Sequence, residues 1–360
     1  MPRLVIDARM IDQSGIGRYL QAVLPRVISS LGSRAEIALI GARAPLERAG
    51  VVLPRVTLIE TAVGVYAPAE QLVLARAARH ADALWVPHIT VPFAIRCALA
   101  VTVHDAYYAS WRRTRDVRLD KRLYTLALTA WAARRADVVL CDSSFTRDEL
   151  AAAFGRARAP AQVIPLGVDH AWFDLRADGP SPHPRPYVLY VGNVKPHKNL
   201  PRLIRAFGRI RSQIPHDLLI AGRPDGGLGS DAVEREAAAV GGRVIFSGHV
   251  DEGRLRALYA HAACLAMPSL YEGFGLPPLE AMACGVPVVS SRSASLPEVC
   301  GDAAELFDGL DEADCARALL RVLTDAPRRI ELVSRGRERA RHFSWERCGE
   351  DTAAALARLL

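Results

Sequence analysis

The sequence predicts an α/β protein built from two doubly wound, Rossmann-like domains. Three observations carry that expectation. The chain has 360 residues, 50% of them hydrophobic, which is more than one core usually organises. Short aliphatic runs bounded by Gly, Pro or Asp alternate with Ala/Leu/Arg-rich stretches of helical spacing, as in a buried parallel sheet covered on both faces. Near the middle a proline-rich stretch interrupts this rhythm, and the same rhythm then restarts.

In the first domain, assigned to residues 1–176, the expected strands are 4–7, 37–40, 56–59, 84–87, 98–103, 138–141 and 163–164. After the first of them the chain reads Asp12-Gln13-Ser14-Gly15-Ile16-Gly17-Arg18-Tyr19 and enters the helical pattern Leu20, Val23, Leu24, Val27. Glycines at a first strand-to-helix turn let backbone N–H groups approach a phosphate or a sugar, although an ordinary tight turn accounts for one G-x-G equally well. Residues 177–186, ADGPSPHPRP, hold four prolines and form the expected linker. The second domain, 187–344, restarts with strands at 187–191, 218–221, 244–246, 264–267, 286–290 and 305–307. The tail 345–360 is helical in pattern and a candidate to pack back on the first domain.

Charge and composition narrow the function classes. The net charge is +7, and the excess sits entirely in residues 1–170, with 22 basic against 15 acidic side chains, while residues 171–360 balance at 24 each. Such asymmetry suits an anionic membrane surface, a phosphorylated acceptor or nucleic acid. Nucleic acid is set aside, because aromatics make up only 6% of the chain and no binding motif is legible. No apolar run reaches the roughly 18 residues of a membrane span, and MPRLVIDARM is a strand pattern rather than a signal peptide, so a cytoplasmic location is expected. Seven scattered cysteines without a C-x-x-C pair read as buried thiols, not as zinc or redox ligands. The stretch 111–135, basic at both ends with Leu, Tyr and Trp between, fits either a core helix or an amphipathic face docked on the inner side of the cytoplasmic membrane.

Two stretches of the second domain carry chemistry. Tyr187–Val191 is followed by Gly192-Asn193-Val194-Lys195-Pro196-His197-Lys198-Asn199, which puts Lys198 just past the carboxyl end of a strand, where a cation can neutralise a diphosphate. Lys121, Lys195 and Lys198 are the only lysines, and two of them share this loop, though a solvated loop lysine is the plain alternative. Further on, Pro268-Ser269-Leu270-Tyr271-Glu272-Gly273-Phe274-Gly275-Leu276-Pro277-Pro278-Leu279-Glu280 ends a strand, turns on glycine and opens a helix at Pro278. The N-terminus of that helix suits a phosphate. Glu272 and Glu280 then lie on one side of the site, one to hold sugar hydroxyls and one a ribose. Capping or surface roles would account for either glutamate singly.

Glu272 and Glu280, with seven residues between them, resemble the Glu-x7-Glu motif of glycosyltransferase family 4, the retaining enzymes of GT-B fold. The blocks Gly15-Ile16-Gly17-Arg18-Tyr19, Val103-His104-Asp105, Val163-Ile164-Pro165-Leu166-Gly167-Val168-Asp169, Lys198-Asn199 and Leu296-Pro297-Glu298-Val299 are similar to family blocks in family order and cover nearly the whole chain. The resemblance implies a GT-B architecture, with the two Rossmann-like domains facing across a cleft. It implies that Lys198 contacts the donor diphosphate, Glu280 the ribose and Glu272 the transferred sugar. The N–H groups of Phe274, Gly275 and Leu276 would line the phosphate and sugar site, His104 would lie near the donor sugar, and Gly15 and Gly17 would belong to a loop closing over the diphosphate. His104 also fits a core histidine near a strand end. Where the family often has an arginine after the glycine matching Gly192, this chain has Asn193, leaving Lys195 or Arg223 as candidates for the second phosphate cation.

The implied reaction needs no metal or cofactor. Cleavage builds positive charge on the sugar ring and negative charge on the diphosphate, which Lys198 and the helix N-terminus would stabilise by fixed electrostatics. Closure about the linker would exclude water. Together the Gly-Ile-Gly-Arg-Tyr and Pro-His-Lys-Asn-Leu blocks are most similar to mannosyltransferases that build bacterial surface polysaccharides from GDP-mannose. The acceptor is then a lipid-linked sugar or an oligosaccharide. A UDP- or dTDP-sugar donor, or a non-catalytic nucleotide-sugar-binding protein, stays open. A nucleotide-sugar epimerase of like architecture would need further acid/base carboxylates, which the sequence does not offer.

Overall fold

The computed structural model describes residues 1–67, 69–109, 118–155, 158–222, 229–248 and 250–360. They form two compact units, Met1–Gly167 with Ser344–Leu360, and Val168–Phe343. In the first unit the order is β1 (Arg3–Asp7), α1 (Ser14–Leu31), β2 (Glu36–Gly41), α2 (Arg43–Arg48), β3 (Val56–Glu60), α3 (Glu70–Ala77), β4 (Ala83–Val86), β5 (Ala98–Val103), α4 (Leu119–Arg135), β6 (Val138–Cys141), α5 (Ser144–Phe154) and β7 (Gln162–Val163). The second unit runs β8 (Tyr187–Val191), α6 (Leu200–Ile210), β9 (Asp217–Ala221), α7 (Ser230–Val240), β10 (Val244–Phe246), α8 (Glu252–Ala260), β11 (Cys264–Met267), α9 (Leu276–Cys284), β12 (Val288–Ser291), α10 (Leu296–Cys300), β13 (Ala304–Phe307), α11 (Glu312–Thr324) and α12 (Ala326–Ala340). Helix α13 (Trp345–Ala357) then returns to the first unit.

Among the described residues the sheets order as β3-β2-β1-β4-β5-β6-β7 and β10-β9-β8-β11-β12-β13, with every pairing parallel. Strand order therefore reverses between β1 and β4 in one sheet and between β8 and β11 in the other. In doubly wound sheets the crevice outside the carboxyl ends of two such strands is where ligands bind. The central strands are aliphatic throughout because helices cover both faces: Leu4, Val5 and Ile6 of β1 and Val188, Leu189 and Tyr190 of β8 are wholly buried. Helix α1 seats Leu20, Val23, Leu24 and Val27 in the core, the stripe read from their spacing.

The boundary between units falls at Gly167, not in the proline-rich stretch. Val168 N–H donates to the Phe343 carbonyl at 3.2 Å, and buried Trp172 packs edge-on against Tyr259 with ring centroids 5.0 Å apart. Those contacts tie residues 168–176 to the second unit, while 177–186 lacks regular structure and is exposed except at half-buried His183, whose Nε2 lies 2.8 Å from Asp217 Oδ2. Ser344, assigned from sequence to the second domain, caps α13 and belongs to the first unit. On the first unit, α13 brings Trp345 against Tyr19 (6.5 Å between centroids) and Glu346 onto Arg26. Two glycines permit this docking: a Cβ on Gly167 would lie 2.1 Å from the Trp345 nitrogen, and one on Gly349 would lie 2.6 Å from the Arg26 side chain. The seven cysteines are free thiols, six of them buried, and no described helix is long and apolar enough to cross a membrane.

Candidate functional site

The loop after β8 and the turn after β11 meet at the reversal point of the second sheet. Leu270 N–H donates to the His197 carbonyl at 2.8 Å. Asn199, held in a left-handed conformation (φ 57°), donates its side-chain amide to the carbonyls of Pro268 (3.1 Å) and Gly309 (2.9 Å). This stitching brings Lys198 Nζ to both carboxylate oxygens of Glu272, at 2.6 and 2.8 Å, with 18% and 13% of the two side chains exposed. Buried Ser295 holds the turn from below, its hydroxyl donating to the carbonyls of Glu272 (2.9 Å) and Phe274 (2.6 Å). Beside the lysine, burial and then the charges of Lys198 and Lys195 push His197 down to about 3, so its imidazole is neutral. Tyr190, fully buried beneath the loop, is pushed up by burial and by the Glu272 charge, and its hydroxyl donates to the Asn193 carbonyl at 3.1 Å.

Helix α9 starts on Gly275, whose φ of 121° disfavours any side chain, and has prolines in its first turn but no acidic residue and no side-chain cap there. The N–H groups at 274–276 thus form an uncapped helix start three residues from Glu272, an electropositive terminus suited to an anion. Glu280, one turn in, is buried and accepts a hydrogen bond from the Tyr259 hydroxyl at 2.9 Å. Asn193 and Lys195 stand exposed on the β8 loop, and Arg223, the other candidate cation, lies outside the described residues.

The other site residues singled out from the sequence lie in the first unit. His104 follows β5 and is gripped from both sides: Nδ1 lies 2.7 Å from Asp142 Oδ2 and Nε2 lies 3.2 Å from the Pro87 carbonyl. Tyr19 packs edge-on to its ring at 4.9 Å. Burial opposes the imidazolium, but the charge and hydrogen bond of Asp142 outweigh it, so the ring holds its proton above the usual histidine range. His104 edges an open hollow of about 420 Å³ whose other walls include Ile16, Tyr66, His88, Asp105 and Tyr108. Tyr66 has a left-handed backbone (φ 66°), fixed by its N–H donating to Glu70 at 2.9 Å, and its hydroxyl sits 3.1 Å from His88 Nε2. A strained aromatic residue on the rim of a polar hollow marks a place where geometry has been held against local preference.

Gly15 and Gly17 are not in a loop. Both lie in the first turn of α1, where Gly17 N–H bonds to the Gln13 carbonyl and a Cβ at position 17 would lie 2.5 Å from the Ile11 carbonyl. Close packing of helix on loop therefore explains Gly17, while the Cβ direction of Gly15 is open. Sequence reasoning missed Asp142, Ser295 and Tyr259, and gave Asn199 no role beyond its place in the Lys198-Asn199 block. An aspartate directly after a buried strand was the available signal for Asp142. Nothing local marked Ser295, which acts 23 residues away from Glu272.

A family model for Glycosyltransferase Family 4 matches residues 15–172, and one for Glycosyl transferases group 1 matches residues 173–339. The chain belongs to glycosyltransferase family 4. Its two parallel-sheet domains are those of the GT-B fold, and HepE from Anabaena in complex with UDP-glucose superposes with a TM-score of 0.75 over 99% of this chain and 100% of that one, at 18% identity. Among curated family relatives, O-antigen chain mannosyltransferase B of Escherichia coli is 35% identical over 204 residues, covering 55% of this chain and 50% of that protein. MMP alpha-(1->4)-mannosyltransferase of Mycolicibacterium hassiacum is 33% identical over 238 residues, covering 63% and 56%. The chain thus spans about half the length of the curated relatives it matches.

Proposed function

We propose that this chain is a retaining glycosyltransferase that moves mannose from GDP-mannose onto a lipid-linked or oligosaccharide acceptor of bacterial surface polysaccharide. The observation that carries the reading is the Lys198–Glu272 pair beside the uncapped start of α9, at the reversal point of the second sheet. In this reading Lys198 leaves Glu272 for the donor diphosphate, and the N–H groups of 274–276 take the remaining phosphate oxygens. Glu272, released, orients the sugar hydroxyls, and Glu280, positioned by Tyr259, holds the ribose. As the bond from anomeric carbon to phosphate breaks, charge grows on the diphosphate, where fixed cation and helix dipole lower its energy without a metal. The same phosphate accepts the proton of the attacking hydroxyl, so no enzyme nucleophile is required and the anomeric configuration is kept. His104, whose proton Asp142 stabilises, is the first unit's candidate for a positioning role in the transfer.

Mannose is favoured by the relatives named as mannosyltransferases. A uridine donor is the second reading, favoured by the structural neighbour whose partner is UDP-glucose. A thermal-shift titration with GDP, UDP, dTDP and CMP, with and without EDTA, separates the two, since a ligand of the native state alone raises the melting temperature. Stabilisation by GDP that EDTA leaves untouched, followed by transfer from GDP-mannose, is the expected result. A UDP or dTDP preference replaces the sugar and keeps the chemistry. If no nucleotide stabilises the protein, the assignment of the site fails.

A further inference from the structure

Tyr19 stands between the last helix of the chain and His104, all within the first unit. It sits two residues after Gly17 on α1 and is 2% exposed. Three rings box it in: Trp85 of β4 edge-on at 6.3 Å, Trp345 of α13 tilted at 6.5 Å, and the His104 imidazole edge-on at 4.9 Å. Its hydroxyl meets two buried threonine hydroxyls, Thr102 from β5 and Thr352 from α13. Each threonine is tied down in turn. Trp85 Nε1 donates to Thr102 Oγ1 at 3.0 Å, and Thr352 Oγ1 donates to the Cys348 carbonyl at 2.7 Å. A buried polar relay therefore runs from β4 through β5 and Tyr19 to α13. Burial, with the nearby Cys348 and Asp142 adding to it, pushes the Tyr19 hydroxyl well above the usual tyrosine range, so the phenol stays neutral.

His104 has an acceptor at each ring nitrogen, the Asp142 carboxylate at 2.7 Å and the Pro87 carbonyl at 3.2 Å. Those two bonds fix the ring within its own plane but leave it free to tilt about the line that joins them. The edge-on Tyr19 ring opposes that tilt. We propose that Tyr19 is a positioning residue for the transfer reaction: anchored by Trp345 and Thr352, it keeps His104 on Asp142 and Pro87, so that the chain's last helix completes the histidine. The inference rests on the reading that gives His104 a role in transfer. A phenol this buried does not reach a substrate, and a neutral one exchanges no charge with the imidazole, which leaves orientation. Phenylalanine would fill the same space, whereas a hydroxyl joined to Thr352 ties the ring to α13 in one geometry.

The test follows the His104 ring protons by NMR in the full chain with isotope-labelled histidine, and initial rates from the nucleotide-sugar whose nucleotide stabilises the protein. In the wild type the two ring N–H protons, held on Asp142 and Pro87, should give slowly exchanging signals that His104→Gln removes. Tyr19→Phe and Thr352→Val should each broaden or abolish those signals and lower kcat by roughly ten- to a hundredfold with the donor KM unchanged. The double variant should be no slower than the slower single one, because both changes cut the same relay. Thr352→Ser, which keeps the hydroxyl, should retain the wild-type rate. Wild-type His104 signals in both single variants overturn the proposal, whether or not the melting temperature falls, and so do rate losses that multiply in the double variant. Lost signals with an unchanged transfer rate would instead remove His104 from the reaction, overturning the reading beneath the inference while the coupling of α13 to His104 stands.

Discussion

Replacing Glu272 by Gln should tighten the grip on nucleoside diphosphate while lowering sugar transfer. Lys198 is held by both Glu272 oxygens at 2.6 and 2.8 Å, and on the proposed reading a diphosphate binding Lys198 has to displace that carboxylate. The gross attraction at such a separation is ~6 kcal/mol for an effective dielectric of ~20. Partial solvation of both groups leaves a net contribution of about 1.5–3 kcal/mol for a hydrogen bond between charged partners. Glutamine keeps the shape and removes the charge, so Lys198 is freed by roughly that amount, a gain of about ten- to a hundredfold in diphosphate affinity. Transfer should nevertheless fall by about a hundredfold, because the carboxylate proposed to orient the sugar in the transition state is gone. Isothermal titration with the preferred nucleoside diphosphate and with its parent nucleoside reads the first effect, and initial rates from the nucleotide-sugar read the second. The reasoning is refuted if the diphosphate binds the variant no more tightly than the wild type, or if the phosphate-free nucleoside gains equally.

Three further outcomes follow from the geometry. Gly167→Ala places a methyl carbon 2.1 Å from the Trp345 backbone nitrogen, a clash with main chain, so the first unit should lose about 1–3 kcal/mol or more and its melting temperature should drop. Asp142 holds the His104 proton above the usual histidine range, so this pair's contribution to stability is complete below about pH 6.5 and fades as pH rises through the raised value. Asp142→Asn should therefore bring the His104 titration, followed by NMR, back down and flatten the neutral-pH slope of the melting temperature. His88 and His197 are both pushed to about 3 by burial, with nearby positive charge adding to it. Their contribution is present above about pH 6.5 and lost as pH falls toward 3, so His88→Gln/His197→Gln should show a shallower acid decline in stability than the wild type.

Much of this was legible because buried parallel strands announce themselves. The expected strand at 187–191 is β8 itself, and 98–103 and 138–141 are β5 and β6, since aliphatic runs closed by Gly, Pro or Asp leave little choice of period. Lys198 and Glu272 were both singled out. Their mutual pairing was not, because it depends on Asn199 clamping two carbonyls 69 and 110 residues away. The proline-rich stretch misled the domain boundary for the same reason: proline breaks periodicity wherever it stands, whereas a boundary is set by packing, here by Trp172 on Tyr259. Helix α4 follows the rule that apolar means inside at Leu128, Ala132 and Ala133 but departs from it in its first turns, where Leu119 and Leu123 are exposed while Arg122 and Thr125 are buried.

The return of α13 to the first unit gives the chain an order of assembly. Residues 168–343 are contiguous and can close as soon as they emerge from the ribosome, but the face of α1 that receives Trp345 and Gly349 stays bare until that whole stretch has been made. The earlier-synthesised unit is thus the later one to be completed. A nascent chain halted just after Phe343 presents an unfinished first unit beside a second one already able to fold.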